Sequence, residues 1–155
     1  MNIEKITKIF LDADVLVAGS YNPQGGSEFI LECAKKEAFT IMTSKLVLQE
    51  AKRALLKKLG KEALFRFYQN MVNTDFLLAH KPTQKEIEKY SQFIHQDDAH
   101  VIAAVTKNKA DFLITLNKRH FFTPKIKEAG LNIIILTPKM FIEEYYKKML
   151  SRRSV

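Results

Sequence analysis

Three acidic residues carry the chemistry open to this chain: Asp12, Glu50 and Asp98, each placed where a strand gives way to a helix or where a helix begins. Carboxylates brought from such distant positions to one sheet edge hold a divalent cation, because hard cations take oxygen ligands and water. Asp12 ends the apolar run Ile9, Phe10, Leu11 and is followed by Asp14. In a parallel α/β sheet, ligands bind in the crevice at the carboxyl ends of the strands, so Asp12 falls in the default site. Taken alone, a strand-end aspartate is more often a turn or helix cap, and Asp14 more often caps the turn that follows. Glu50 lies in the opening turns of a helix after Thr43 and Ser44; alone it reads as a solvated glutamate beside Arg53 or Lys57.

Asp97 and Asp98 precede the apolar run Val101, Ile102, Ala103, Ala104, Val105. Asp97 is expected to cap that helix. Asp98 shares the Val101 and Ile102 face by helical spacing and is therefore aimed inward, where an uncompensated charge is expensive and a metal would offset it. His100, one turn's reach from Asp97, reads as structural. A fourth segment runs from the strand Phe112–Thr115 into Asn117, Lys118, Arg119 and His120. Asn117 offers a carbonyl oxygen and Thr115 a hydroxyl to a hydrated cation, while Lys118, Arg119 and His120, with Lys45 ahead of Glu50, would hold a phosphodiester backbone. Taken singly, a solvated loop and a packed imidazole are the commoner roles for that basic trio.

The elements that must position these residues alternate between short β-rich runs and amphipathic helices, the pattern of a parallel sheet covered on both faces. The strands are expected at Lys8–Leu11, Phe39–Met42, Phe76–Ala79, Phe112–Thr115 and Ile133–Leu136. Helical spacing links Phe29, Ile30 and Cys33; Ala51, Leu55 and Leu59; Leu64, Tyr68 and Met71; Ile87, Tyr90 and Ile94; and Val101, Ile102 and Val105. Gly60 splits Lys45 to Val72 into an αα-hairpin. Pro82 and Thr83 open the next helix, and Thr137 caps the last one with Pro138 in its first turn.

A chain of 155 residues with 46% hydrophobic content is expected to form one domain over residues 1–150, with a basic tail at 151–155 disordered. Its 25 Lys and Arg against 17 Asp and Glu give a charge of +8, which favours an anionic partner such as nucleic acid. The single Cys33 excludes an internal disulfide, fits a reducing compartment and reads as a core thiol. Glu4, Asp12 and Asp14 break any leader pattern, and no apolar stretch reaches membrane length, so a soluble cytoplasmic protein with no membrane partner is expected.

Together the four segments resemble the PIN-domain family of metal-dependent ribonucleases, from Ile9 to about Phe141. The resemblance rests on Leu11 to Leu16 for the opening Asp motif, Glu50 for the helix glutamate, Asp98 to Ala104 for the central Asp motif and Ala110 to Asn117 for the closing strand. It implies a three-layer α/β/α fold with a central parallel sheet of four to five strands, and acids that bind one or two Mg²⁺ or Mn²⁺ ions. Asp12 and Asp98 would be the principal ligands, Glu50 a ligand through water or a base orienting the attacking water, and Asn117, Thr115, Asp14 and Asp97 supporting residues. Many relatives carry an aspartate at the position of Asn117; the lost charge weakens a second metal more than the first. Many members are toxins restrained by a cognate antitoxin, others process or degrade RNA, and homodimers are common. Here Phe65, Phe67 and Tyr68 on the Leu64–Val72 helix are either a dimer surface or ordinary core.

Two other readings stay open. A non-catalytic RNA-binding or antitoxin-binding module with a degenerate site is suggested by Asn117 and the basic surface. A haloacid-dehalogenase-type phosphatase is suggested by Phe10 to Val15 and by Thr43 or Ser44, and opposed by the Thr115 to Lys118 ending of the fourth strand, which lacks that family's acidic pair.

Overall fold

A computed structural model describes residues 7–22, 24–36 and 38–148; the expectations for the first six residues and for the tail at 151–155 lie outside them. Five strands form one wholly parallel sheet: β1 (Lys8–Leu11), β2 (Thr40–Thr43), β3 (Phe76–Leu78), β4 (Phe112–Ile114) and β5 (Ile134–Leu136), in the order β3-β2-β1-β4-β5. The strands follow the expected ones to within a residue at either end. The second is displaced by one, because Thr43 pairs in register with Leu78 and donates its hydroxyl to the Leu11 carbonyl at 3.1 Å.

Helices α1 (Ala13–Tyr21), α2 (Gly26–Lys35), α3 (Lys45–Lys58) and α4 (Lys61–Asn73) pack on one another, and α5 (Gln84–Tyr90) packs on α6 (Gln96–Lys107). The chain steps outward from β1 to β3 through the first group, then crosses back past β1 to β4 and β5 with the second; the right-handed connection rule puts the two groups on opposite faces. The result is the three-layer α/β/α arrangement. The middle layer is dry: Ile9, Phe10, Leu11, Ile41, Leu113 and Ile114 are all fully buried. Two short helices, α7 (Lys118–Phe121) and α8 (Pro124–Glu128), follow β4, and α9 (Pro138–Phe141) runs into a π-helical stretch at Ile142–Tyr146. No described helix is long and apolar enough to cross a membrane.

Local signals set most helix ends. Ser44 caps α3 through the Val47 N–H, Thr83 forms a capping box with Glu86, and Thr137 caps α9 with Pro138 in its first turn. Two expectations are corrected. The most buried stripe of α4 is Ala63, Phe67 and Asn70; of the expected Leu64, Tyr68 and Met71, Leu64 and Met71 are half-buried beside it and Tyr68 lies outside. Phe65 and Val72 are thereby left 64% and 83% exposed, and Tyr68 half-exposed, while Phe67 is core. The cap of α6 is His95 and not Asp97: the helix starts at Gln96, and the His95 Nδ1 accepts the Asp97 N–H at 3.2 Å.

Between α3 and α4, Gly60 adopts φ 82° and ψ −169°. That region is accessible almost only to glycine, although nothing lies within 4 Å of where a Cβ would stand. Gly60→Ala is expected to cost about 1–3 kcal/mol through backbone strain alone. Chemical denaturation checks it; an unchanged midpoint would show that the hairpin turn relaxes.

Candidate functional site at the strand ends

The strand order reverses between β1 and β4, and the crevice at the carboxyl ends of these two strands is where a doubly wound sheet opens a site. The backbone ladder delivers Asp12 there, its N–H bonded to the Ile114 carbonyl at 3.0 Å. Asp12 is the N-cap of α1: Oδ1 accepts the Ala13 N–H at 2.8 Å, and Oδ2 accepts the Thr115 hydroxyl at 2.8 Å. Asp14, in the first turn of the same helix, accepts the Leu116 N–H at 3.1 Å and lies 3.4 Å from the same Thr115 hydroxyl. Thr115, fully buried, therefore ties the two carboxylates to the end of β4.

Only 6% of Asp12 is exposed. Burial, reinforced by the charges of Asp14 and Asp98, pushes its carboxyl up to about 7 against the bonds from Thr115 and Ala13, which favour the ionised form. Asp14 is also raised, by burial first and by the Asp98 charge. Asp98 thus comes near enough for its field to act on both.

The other acids are held by imidazoles. His120 Nδ1 lies 2.6 Å from Asp98 Oδ2, and His100 Nε2 lies 2.8 Å from Glu50 Oε1. Burial would lower the His100 pKa, but the Glu50 hydrogen bond and charge, with the fields of Asp12 and Asp98, raise it overall. His100 therefore faces Glu50 across fifty residues of sequence, not Asp97. Asn117 caps α7: its Oδ1, expected to face a cation, accepts the His120 N–H at 3.3 Å. Asp97 is exposed and stands 3.6 Å from the His95 imidazole. Lys45, Lys118 and Arg119 are exposed at the starts of α3 and α7. Sequence reasoning missed His95 and the partner of His100; a histidine is outside the usual capping set, and no spacing rule links position 100 to position 50.

Among the described residues no three His, Cys, Asp or Glu side chains form a ready-made cage for an ion. The donor chemistry nevertheless fits a hard cation. Three carboxylates sense one another's charge, one of them nearly dehydrated, and each would be stabilised by a positive charge between them. His120 holds Asp98 by Oδ2, so Oδ1 would meet an ion with that bond kept, while Glu50 would turn from His100 toward it.

Fold and crevice together define a doubly wound α/β protein with an acidic cluster at its switch point. The family model described as PIN domain matches residues 8–119, and the chain belongs to that family. Among solved structures, PAE2754 from Pyrobaculum aerophilum is similar at 14% identity and a TM-score of 0.59, over 91% of this chain and 92% of that one. VapBC2 from Rickettsia felis, bound to a DNA fragment from their promoter, is similar at 17% identity and 0.59, over 83% and 97%. VapC20 from Mycobacterium tuberculosis, described as a Sarcin-Ricin loop cleaving toxin, is similar at 18% identity and 0.53, over 79% and 95%. At these identities the likeness is one of fold. No curated protein matches the sequence.

Proposed function

We propose that this chain is a Mg²⁺- or Mn²⁺-dependent endoribonuclease, cytoplasmic, and the toxin of a toxin–antitoxin pair. The observation that carries the reading is the cluster of Asp12, Asp14 and Asp98 at the switch point of a PIN fold, with a carboxyl pushed up to about 7 by burial and by the charges beside it. Asp12 and Asp98 would hold the ion, with Glu50 reaching it through water. When bound, the ion supplies Lewis acidity at the phosphoryl oxygen and an acidified water.

The remaining work falls to the protein. Thr115 fixes the Asp12 carboxylate in one orientation. Glu50, once released by His100, orients the attacking water and takes its proton. Asn117 holds α7 so that Lys118, Arg119 and His120 face the substrate, and Lys45 reaches the backbone from α3. Likeness to a loop-cleaving toxin supports RNA as the substrate, and the family supports an antitoxin as partner; Phe65, Tyr68 and Val72 offer an apolar face to that partner or to a second copy. Incubation of end-labelled single-stranded RNA with Mn²⁺ is expected to give discrete products that a chelator abolishes; intact RNA at every metal concentration would end the reading.

The family match sets the phosphatase aside. A non-catalytic RNA- or antitoxin-binding module is favoured by one observation, the engagement of Glu50 and Asp98 by histidines. It requires salt-sensitive RNA binding that survives chelation, with no cleavage.

A further inference from the structure

The rim of the acidic site carries a feature that metal chemistry does not use. The rings of His95 and His120 lie 5.7 Å apart, centre to centre, at an interplanar angle of 14°. Each is held by a hydrogen bond at a ring nitrogen. His120 is fixed by Asp98 at 2.6 Å, and His95 by the Asp97 N–H that its Nδ1 accepts at 3.2 Å. Because that nitrogen accepts, a neutral His95 carries its proton on Nε2. The inner ring thus touches a site carboxylate, while the outer side chain is 58% exposed.

We infer that His95, stacked on His120 at the lip of the acidic cluster, is the platform on which a nucleobase of single-stranded RNA stacks, positioning the adjoining phosphate over the site. This rests on the nuclease reading for the substrate but not on the metal. Unstacked bases are recognised by stacking on aromatic rings, histidine included, and such stacking tolerates any base. A stack whose rings are already oriented loses little freedom on binding. Exposed Lys118 and Arg119, on the helix that carries His120, place cations beside the platform for the flanking phosphates. His95 is accordingly a positioning residue and makes no contact with the reacting atoms.

Capping and stacking make opposite demands on position 95, and that separates them. Asparagine keeps the cap and has no ring; phenylalanine keeps a ring and cannot cap. Affinity for a fluorescein-labelled single-stranded RNA of mixed sequence, measured in EDTA, is expected to fall about tenfold in His95→Asn and to stay within about twofold of the parent in His95→Phe. Parent affinity in His95→Asn overturns the proposal, as does an equal loss in both variants. If thermal melting shows either variant unfolded, the parent protein is titrated with RNAs abasic at one position each. One position must then weaken binding about tenfold, and equal affinity across the series overturns the platform. Cleavage in Mn²⁺ keeps the two ideas apart. Platform-dependent binding without cleavage sinks the nuclease and leaves the platform. Cleavage with an unchanged KM in His95→Asn sinks the platform and leaves the nuclease.

Discussion

Asp12→Asn is expected to lower RNA cleavage at least about a hundredfold, since a bound ion contributes several kcal/mol to the transition state and each 1.36 kcal/mol is tenfold in rate. At pH 8 the same substitution is expected to raise the melting temperature of the metal-free protein. The pKa shift sets the direction: Asp12 titrates at about 7 in the fold against 3.8 ordinarily, because burial and the charges of Asp14 and Asp98 disfavour the carboxylate. A raised pKa means that this group's contribution is fully present below about pH 3.8 and is lost as pH rises through about 7. The loss is on the order of 4 kcal/mol, or roughly 10 °C in a domain of this size. Asparagine keeps the Ala13 cap through its carbonyl and carries no charge, so it escapes that loss. The raised His100 pKa, held up by Glu50, acts in the same direction: its stabilisation is full below 6.5 and fades above its folded pKa. Melting of both proteins from pH 4 to 8 checks the argument. An advantage of the variant that is constant with pH would show that Asp12 is not strained by its charge, and undiminished cleavage would remove it from the site.

The strands and their acids were legible because a buried parallel strand leaves a compact trace. Ile9 to Leu11 and Phe112 to Ile114 are uninterrupted apolar runs, and the polar residue that follows each marks the sheet edge where a site opens. The sheet order was not legible, since periodicity says nothing of which strands adjoin. Face selection on α4 was harder. Leu64, Tyr68 and Met71 make as good a helical stripe as Ala63, Phe67 and Asn70, and the choice is made by contacts no local pattern contains. Asn70, buried, accepts from Lys35 at 3.0 Å and approaches the Gly19 carbonyl at 3.4 Å, and those bonds offset the burial of its amide. The histidines were harder still. Their position beside Asp98 or Asn117 was plain, but the engagement of Glu50 by His100 and of Asp98 by His120 is made only where α6, α3 and α7 begin together at the strand ends. A site whose carboxylates are shared with imidazoles cannot be read one residue at a time.

That sharing leads to the second large effect. Saturating Mn²⁺ at pH 8 is expected to raise the melting temperature of the parent protein by roughly 5–10 °C, the consequence of about 2.7 kcal/mol at a hundredfold excess over Kd in a domain of this size. The same addition to Asp12→Asn should give little shift, because the remaining acids lose the one carboxylate that the fold holds most nearly dehydrated. Acid should abolish the gain in the parent as well. Metal ligands bind deprotonated, and below pH 6 Asp12 takes up a proton while protonated His100 keeps its hold on Glu50. The cation and the proton are thus rivals for one cluster, and the Mn²⁺ stabilisation should start to fall as the pH drops through about 7 and not through the ordinary carboxylate value. Thermal melts with and without Mn²⁺ across pH 5 to 8 read this without any RNA present. Equal shifts in parent and Asp12→Asn would place the ion elsewhere, and a shift that persists at pH 5 would mean that the acids at the strand ends are not its ligands.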